Sequence, residues 1–306
     1  MFLINEPIDF PDVGRADLAK FGEVIDRGPP VPCEKIVVAF VRLAERIDAQ
    51  FLNKYPNLKY VVSPTTGHTH IDEAELHVRG VQLISLKGEF EFLSSIRATA
   101  EHTLALALSL LRKIPKAGGT VQEGKWTRSG LKGIEISGKN VLIIGYGRVG
   151  RQVGQLYEAF GAKVKAYDIV KRKVPERIYT DLDSGLAQAD IISLHVNYEV
   201  ENHQFLNERY LRLCKPSAFL INTSRGELID QSFLIYLLSN DLLAGAALDV
   251  LQNEPNPDFD YTNLRCLGGK LIITPHIAGY TEESLEAVEC FIVKKFISIF
   301  SNDNNS

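Results

Sequence analysis

Short apolar runs recur along the chain, separated by stretches with helical spacing. Phe2-Leu3-Ile4, Lys35-Ile36-Val37-Val38-Ala39-Phe40 and Lys59-Tyr60-Val61-Val62 are too short and too continuously apolar for amphipathic helices, so they predict buried strands. Residues 12–20 and 48–54 between them predict helices. Strand alternating with helix predicts a parallel sheet with crossover connections.

A longer helix is predicted over 99–114. Leu104, Leu106, Leu108, Leu110 and Leu111 make it apolar nearly all round, so both faces should be buried, and Pro115 should end it. Residues 116–132, rich in Gly and polar side chains, predict an extended arm or loop. Trp126 within it serves either local packing or a subunit contact. From Lys139 the alternation becomes more regular. Strands are predicted at 141–144, 163–167, 191–195, 218–222, 244–248 and 271–274, with helices between them such as 231–238. A last helix begins near Thr281 as N-cap, with Glu282 and Glu283 in its first turn and a stripe of Leu285, Val288, Ile292, Phe296 and Ile299. The pattern predicts two α/β domains, the second more regular than the first.

Composition changes this picture little. With 45% hydrophobic and 24% charged residues the chain is globular; only the polar tail 301–306 suggests disorder. A net charge of −4 offers no basic field for nucleic acid or an anionic membrane. Cys33, Cys214, Cys266 and Cys290 are widely spread with no C-x-x-C pair, so reduced thiols are expected rather than a zinc site or a disulfide framework. The N-terminus lacks a basic n-region and no apolar run approaches the ~20 residues that span a bilayer, which suggests a cytoplasmic protein.

Gly145-Tyr146-Gly147-Arg148-Val149-Gly150 carries the sharpest chemistry. Glycine triplets at this spacing arise by chance, but here context supports the motif. The strand Val141-Leu142-Ile143-Ile144 runs into Gly145. A helix leaves with Val149, Val153, Leu156 and Phe160 on one face. A second strand then ends at Asp168, 18 residues after Gly150. In a dinucleotide-binding turn Gly145 permits the tight bend, Gly147 admits the pyrophosphate, and Gly150 lets helix and strand pack closely. The helix N-terminus offers N–H groups to phosphate. Asp168 would accept the adenosine ribose hydroxyls and repel a 2′-phosphate, favouring NAD over NADP, although Lys171, Arg172 and Lys173 follow it.

Ligands of open parallel sheets bind beyond the carboxyl ends of the strands. At those ends stand His195, then Thr223-Ser224-Arg225-Gly226, then Asp249 and Glu254, then His276. Reduction of a 2-oxo acid needs a cation to fix the carboxylate, a general acid, and a carboxylate to support an imidazole acid.

Together with Thr66-Gly67, Ile71-Asp72, Ala100-Glu101-His102-Thr103, Asn222-Thr223-Ser224-Arg225-Gly226, Leu248-Asp249-Val250, Glu254-Pro255 and Thr274-Pro275-His276, the glycine turn makes the chain from about residue 36 to 285 resemble the NAD-dependent D-2-hydroxyacid dehydrogenases. This family includes D-3-phosphoglycerate dehydrogenases, glyoxylate/hydroxypyruvate reductases and D-lactate dehydrogenases. The resemblance implies a Rossmann-type doubly wound domain at 101–280, and a flavodoxin-like α/β substrate domain built from 1–100 and 281–306. It implies that Arg225 binds the substrate carboxylate and carbonyl, His276 is the acid/base and Glu254 its partner. Asp249 would contact the nicotinamide amide, Thr223 and His195 would line the cofactor cleft, and backbone at Arg148-Val149 would meet the pyrophosphate. Backbone at Thr66-Gly67 would hold the substrate carboxylate. Arg42 falls where phosphoglycerate enzymes read a distal phosphate. The family's members usually form homodimers through the long helix and arm.

Alternatives stand beside these assignments. Glu254 could form a turn salt bridge with Arg265, and Arg42 and Lys87 could be ordinary surface charges. His68 and His70 look like a metal pair but lack further ligands at suitable spacing, so no metal is expected. An NAD(H)-sensing binding protein of the corepressor type shares the fold. Formate dehydrogenase is a further relative, disfavoured because its long insertions are missing.

Overall fold

The computed structural model describes residues 1–28, 32–254 and 261–303. Pro255, the side chains of Arg265 and Cys266, and residues 304–306 lie outside the described residues.

In chain order the elements begin β1 (Phe2–Ile4), α1 (Asp12–Ala19), β2 (Val24–Asp26), β3 (Val38–Phe40), α2 (Ala49–Lys54), β4 (Tyr60–Ser63), α3 (Glu73–Val78), β5 (Gln82–Ser85) and α4 (Phe90–Ser94). There follow α5 (Ala98–Leu111), α6 (Ile114–Gln122), β6 (Asn140–Ile144), α7 (Arg148–Ala159), β7 (Lys163–Tyr167), α8 (Leu182–Gln188), β8 (Ile191–Leu194) and α9 (Glu208–Leu211). The series closes with β9 (Phe219–Asn222), α10 (Gln231–Ser239), β10 (Gly245–Leu248), β11 (Leu271–Ile273) and α11 (Glu282–Asp303).

The chain divides into two compact units. The first joins residues 1–96 to 280–306, and the second runs from 97 to 279. The first holds a five-stranded sheet ordered β2-β1-β3-β4-β5, all parallel. That order is the flavodoxin-like one. Its strands are apolar on both faces because both are covered. α11 lays Val288, Ile292, Val293 and Phe296 on one face, against Phe2, Phe40, Val62 and Ile84. Phe51, Leu52 and Leu76, from α2 and α3, join Leu3, Ala39 and Val61 on the other. Phe296 makes edge-on ring contacts with Phe2, Phe40 and Tyr60, which add directional preference to simple burial.

The second unit holds six parallel strands ordered β11-β10-β9-β8-β6-β7. The order reverses between β6 and β8, and a doubly wound sheet opens its ligand crevice at such a reversal. Leu104, Leu106, Ala107, Leu110 and Leu111 of α5 are buried there, with Val141, Ile143, Val153 and Ile191.

The predicted strands are present, but two were not foreseen. β2 is a three-residue strand with Val24 and Ile25 half-buried and Asp26 exposed, and β5 opens on the exposed Gln82. The arm also differs. Lys113 takes a left-handed turn (φ 54°) and a new helix, α6, starts at Ile114 with Pro115 in its first turn. A proline in the first turn loses no hydrogen bond, so Pro115 starts a helix here instead of only ending one. Trp126, beyond α6, is 93% exposed, so it does not pack locally. The tail is ordered further than expected: α11 runs to Asp303, whose carboxylate accepts the Tyr60 hydroxyl at 2.5 Å. No helix among the described residues is long and apolar enough to cross a membrane.

Candidate active site

The glycine turn joins β6 to α7. Gly145 has φ +88°, and a β-carbon there would overlap the His195 carbonyl, so only glycine suits the position. A β-carbon on Gly150 would overlap the Gly145 carbonyl oxygen, whereas one on Gly147 would meet nothing within 4 Å. Two glycines are thus required by packing, and the third leaves its surroundings open. Gly147 is also the N-cap of α7, and no side chain caps that helix. Uncapped N–H groups behind an open glycine form a cradle suited to pyrophosphate, with Arg148 and Val149 in its first turn. Burial lowers the Arg148 guanidinium below its ordinary value.

At the end of β7, Asp168 accepts the Tyr146 N–H at 2.9 Å and the Val170 N–H at 2.8 Å. One of its oxygens therefore holds the glycine turn itself. At the end of β8, the His195 N–H donates to the Ile144 carbonyl at 2.7 Å, and its Nε2 lies 2.8 Å from the Ser193 hydroxyl. Burial drives its imidazole down to about 3, so His195 is neutral near pH 7.

Beyond β9 the chain is tied by its own side chains. Asn222 accepts the Ser224 N–H at 2.9 Å and donates to the Arg225 carbonyl at 2.9 Å, and Ser224 Oγ donates to the Leu194 carbonyl at 2.6 Å. Thr223 Oγ1 lies 2.8 Å from Thr103 Oγ1 of α5. In this frame Arg225 donates through one terminal nitrogen to the Ser224 carbonyl at 2.7 Å, while its buried Nε finds no partner among the described residues. Burial pulls the guanidinium below its ordinary value, opposed by the negative charges of Glu254 and Glu227.

Glu254 follows β10. One carboxylate oxygen accepts the Leu251 N–H at 2.9 Å, and the other pairs with His276 Nδ1. Asn253 before it is left-handed (φ 62°), and its N–H donates to Glu227 at 3.2 Å. His276, beyond β11, is left-handed as well (φ 55°). Arg225, Glu254 and His276 thus gather, from three strand ends, in one unit.

Asp249 departs from expectation. Its carboxylate, 0% exposed, accepts Thr274 Oγ1 at 2.5 Å, the Ile277 N–H at 2.9 Å and the Ala278 N–H at 2.8 Å, and lies 3.3 Å from His102 Nε2. Burial pushes this carboxyl up, but the hydrogen bonds from His102, Thr274 and the two backbone groups outweigh it and hold it below its ordinary value. His102 was a motif residue with no role in the sequence reading; its partner Thr274 lies 172 positions away, and no spacing rule reaches that far.

In the first unit, Thr66 and Gly67 lie on the loop after β4. Arg42 is engaged internally: its Nε donates to Glu289 at 2.6 Å, a terminal nitrogen donates to the Ile8 carbonyl at 3.0 Å, and its N–H donates to Glu6 at 2.8 Å. His68 Nδ1 pairs with Glu73 at 2.8 Å.

The family model described as D-isomer specific 2-hydroxyacid dehydrogenase, NAD binding domain, matches residues 104–278. The chain is 32% identical over 271 residues to a glyoxylate reductase of Thermofilum pendens, covering 85% of this chain and 77% of that one. It is 30% identical over 308 residues to a glyoxylate reductase of Thermococcus litoralis, covering 94% and 90%. Among solved structures, the Aquifex aeolicus D-lactate dehydrogenase complexed with NAD and lactic acid superimposes with a TM-score of 0.81 at 28% identity, covering 99% and 96% of the two chains.

Proposed function

The chain belongs to the D-isomer specific 2-hydroxyacid dehydrogenase family, NAD-dependent enzymes that interconvert 2-hydroxy and 2-oxo acids, and from that premise we propose that Arg225, Glu254 and His276 carry the reaction. The observation that carries this reading is the pairing of Glu254 with His276 Nδ1 beside the half-buried Arg225.

Residues 101–280 hold NAD and residues 1–100 with 281–306 hold the substrate. The open cradle of Gly145, Gly147 and Gly150, with the first turn of α7 at Arg148 and Val149, takes the pyrophosphate. Asp168 takes the adenosine ribose, with one oxygen retained by Tyr146. Thr223 and the neutral His195 line the nicotinamide side. Asp249 bounds the same pocket through its backbone and the loop that it holds. NAD, when bound, supplies or accepts the hydride at the C2 carbon of the substrate. Arg225 fixes the substrate carboxylate and polarises the oxo group, its buried Nε being available for this contact. Glu254 occupies Nδ1 of His276, which leaves Nε2 to give the proton in reduction and take it in oxidation. Backbone at Thr66 and Gly67 is the substrate contact of the first unit.

Arg42 is left out of the substrate site. Its pairing with Glu289, which is 1% exposed, cancels the charge that a distal phosphate would need. The reading therefore narrows to small 2-oxo acids such as glyoxylate, hydroxypyruvate and pyruvate. The exposed Trp126, Ile114 and Val121 support a homodimer formed through the arm, and a cytoplasmic enzyme is the setting proposed.

The test is NADH oxidation with glyoxylate, pyruvate, hydroxypyruvate, 3-phosphohydroxypyruvate and 2-oxoglutarate. Turnover should be fastest with one of the first three. NADH binding without turnover on any of them would favour the NAD-sensing alternative instead.

A further inference from the structure

We propose that His102 is a positioning residue for the acid/base: it satisfies the buried carboxylate of Asp249, which in turn clamps the chain on both sides of His276. The inference rests on the role of His276 proposed above.

The left-handed backbone at His276 (φ 55°) is costly for a residue with a β-carbon, and such a conformation persists only where its neighbours over-determine it. Here Asp249 fastens the chain before and after it. The Asp249 carbonyl accepts the His276 N–H at 2.8 Å. Its Oδ1 accepts the Thr274 hydroxyl at 2.5 Å and the Ile277 N–H at 2.9 Å, and its Oδ2 accepts the Ala278 N–H at 2.8 Å. Residues on both sides of His276 are thus fastened to one carboxylate. If Asp249 moves, the imidazole loses the backbone that aims it.

A fully buried carboxylate is costly unless its charge is met. Among the described residues, His102 on α5 is the one basic side chain at ion-pair distance from Asp249, with Nε2 3.3 Å from Oδ1. The same Nε2 lies 3.1 Å from Thr274 Oγ1. Thr274 has one hydroxyl proton, and it goes to Asp249. Its contact with His102 therefore needs the imidazole as donor, which places a proton on Nε2. That N–H is shared between the two acceptors. The next residue, Thr103, bonds Thr223 at the end of β9, so α5 is anchored where the catalytic strand ends converge.

The test compares the parent enzyme with His102→Gln, His102→Leu and His276→Ala, using NADH and the fastest 2-oxo acid of the panel. A glutamine can present an N–H near the position of Nε2; a leucine cannot. His102→Leu should lower kcat roughly 10- to 100-fold, the cost of a misaimed catalytic group. Its Kd for NADH, read by fluorescence, should stay within about twofold, and His102→Gln should keep kcat within about threefold. A merely structural histidine would lower the melting temperature without this split or this rescue. If the leucine variant does not fold, His102→Ala should gain turnover when imidazole is added. Parental kcat in folded His102→Leu, no advantage of Gln over Leu, or no imidazole response in His102→Ala overturns the role of His102, while an inactive His276→Ala leaves the acid/base assignment standing. Near-parental turnover in His276→Ala removes both.

Discussion

Gly226 lies directly against the backbone of Leu251: a β-carbon on the glycine would overlap the Leu251 carbonyl and the Gln252 nitrogen. Arg225 immediately precedes this contact and Glu254 stands three residues beyond it. The close approach thus brings a guanidinium and a carboxylate from different strand ends to one place. Gln231 and Glu227 secure the same loop by accepting the N–H groups of Gln252 at 3.0 Å and Asn253 at 3.2 Å.

Gly226→Ala should therefore lose turnover and stability together. The overlap is with backbone, which cannot yield as a side chain can, so at least about 1–3 kcal/mol should be lost. Gly147→Ala is the contrast. An added methyl meets nothing within 4 Å, so thermal unfolding should be unchanged while NADH binding weakens. Parallel melting curves and NADH titrations of the two variants check this; a parental affinity in Gly147→Ala would remove the open cradle from the phosphate site.

Asp168 is expected to set the cofactor preference. In Asp168→Ala the ribose loses a charged acceptor and Tyr146 loses its tie to β7. The Kd for NADH should rise roughly tenfold and the preference for NADH over NADPH should narrow. Equal affinity for the two cofactors in the parent enzyme would overturn the role given to this carboxylate.

For Arg225, charge alone should not suffice. A lysine keeps the charge but has no planar fork and cannot place a donor where Nε lies buried. In Arg225→Lys, kcat/KM for the 2-oxo acid should fall roughly 10²-fold while NADH affinity is kept. Steady-state kinetics with a NADH titration separate the two effects.

Acid stability should carry the mark of His195. Its imidazole is held near 3 in the folded protein, against an ordinary value of 6.5. Between those pH values the unfolded chain binds the proton and the folded one does not, so folding stability falls as pH drops from about 6.5 toward 3. At pH 5 this costs about 2 kcal/mol. In His195→Gln, urea unfolding at pH 7 and pH 5 should differ by less than in the parent. An identical difference would show that the imidazole is not held neutral.

Much of the architecture was legible because buried parallel strands announce themselves as apolar runs. Val141-Leu142-Ile143-Ile144 could hardly be anything else. β2 was invisible for the converse reason: three residues at a sheet edge, none fully buried, carry no period. The helix over α6 was hidden by Gly118 and Gly119, whose propensity argues for a loop while Pro115 and the left-handed Lys113 start a new turn. The strand-end rule makes Arg225, Glu254 and His276 candidates, since each lies within a few residues after a run that could be read. It could not show that Arg42 would meet Glu289, 247 residues on, or that His102 would meet Asp249. Such pairs are made by tertiary packing, and the chain between them carries no sign of them.

The first unit is assembled from two stretches separated by the whole of the second, and α11 supplies Val288, Ile292, Val293 and Phe296 to its core. During synthesis, then, the opening hundred residues emerge with one face of their sheet bare. They wait while the intervening 180 or so residues are made, whose six strands are complete in themselves. The middle of the chain can reach its native state on the ribosome, and the first hundred residues only once α11 has emerged. A nascent chain stalled before residue 282 should thus hold a protease-resistant middle behind a vulnerable beginning.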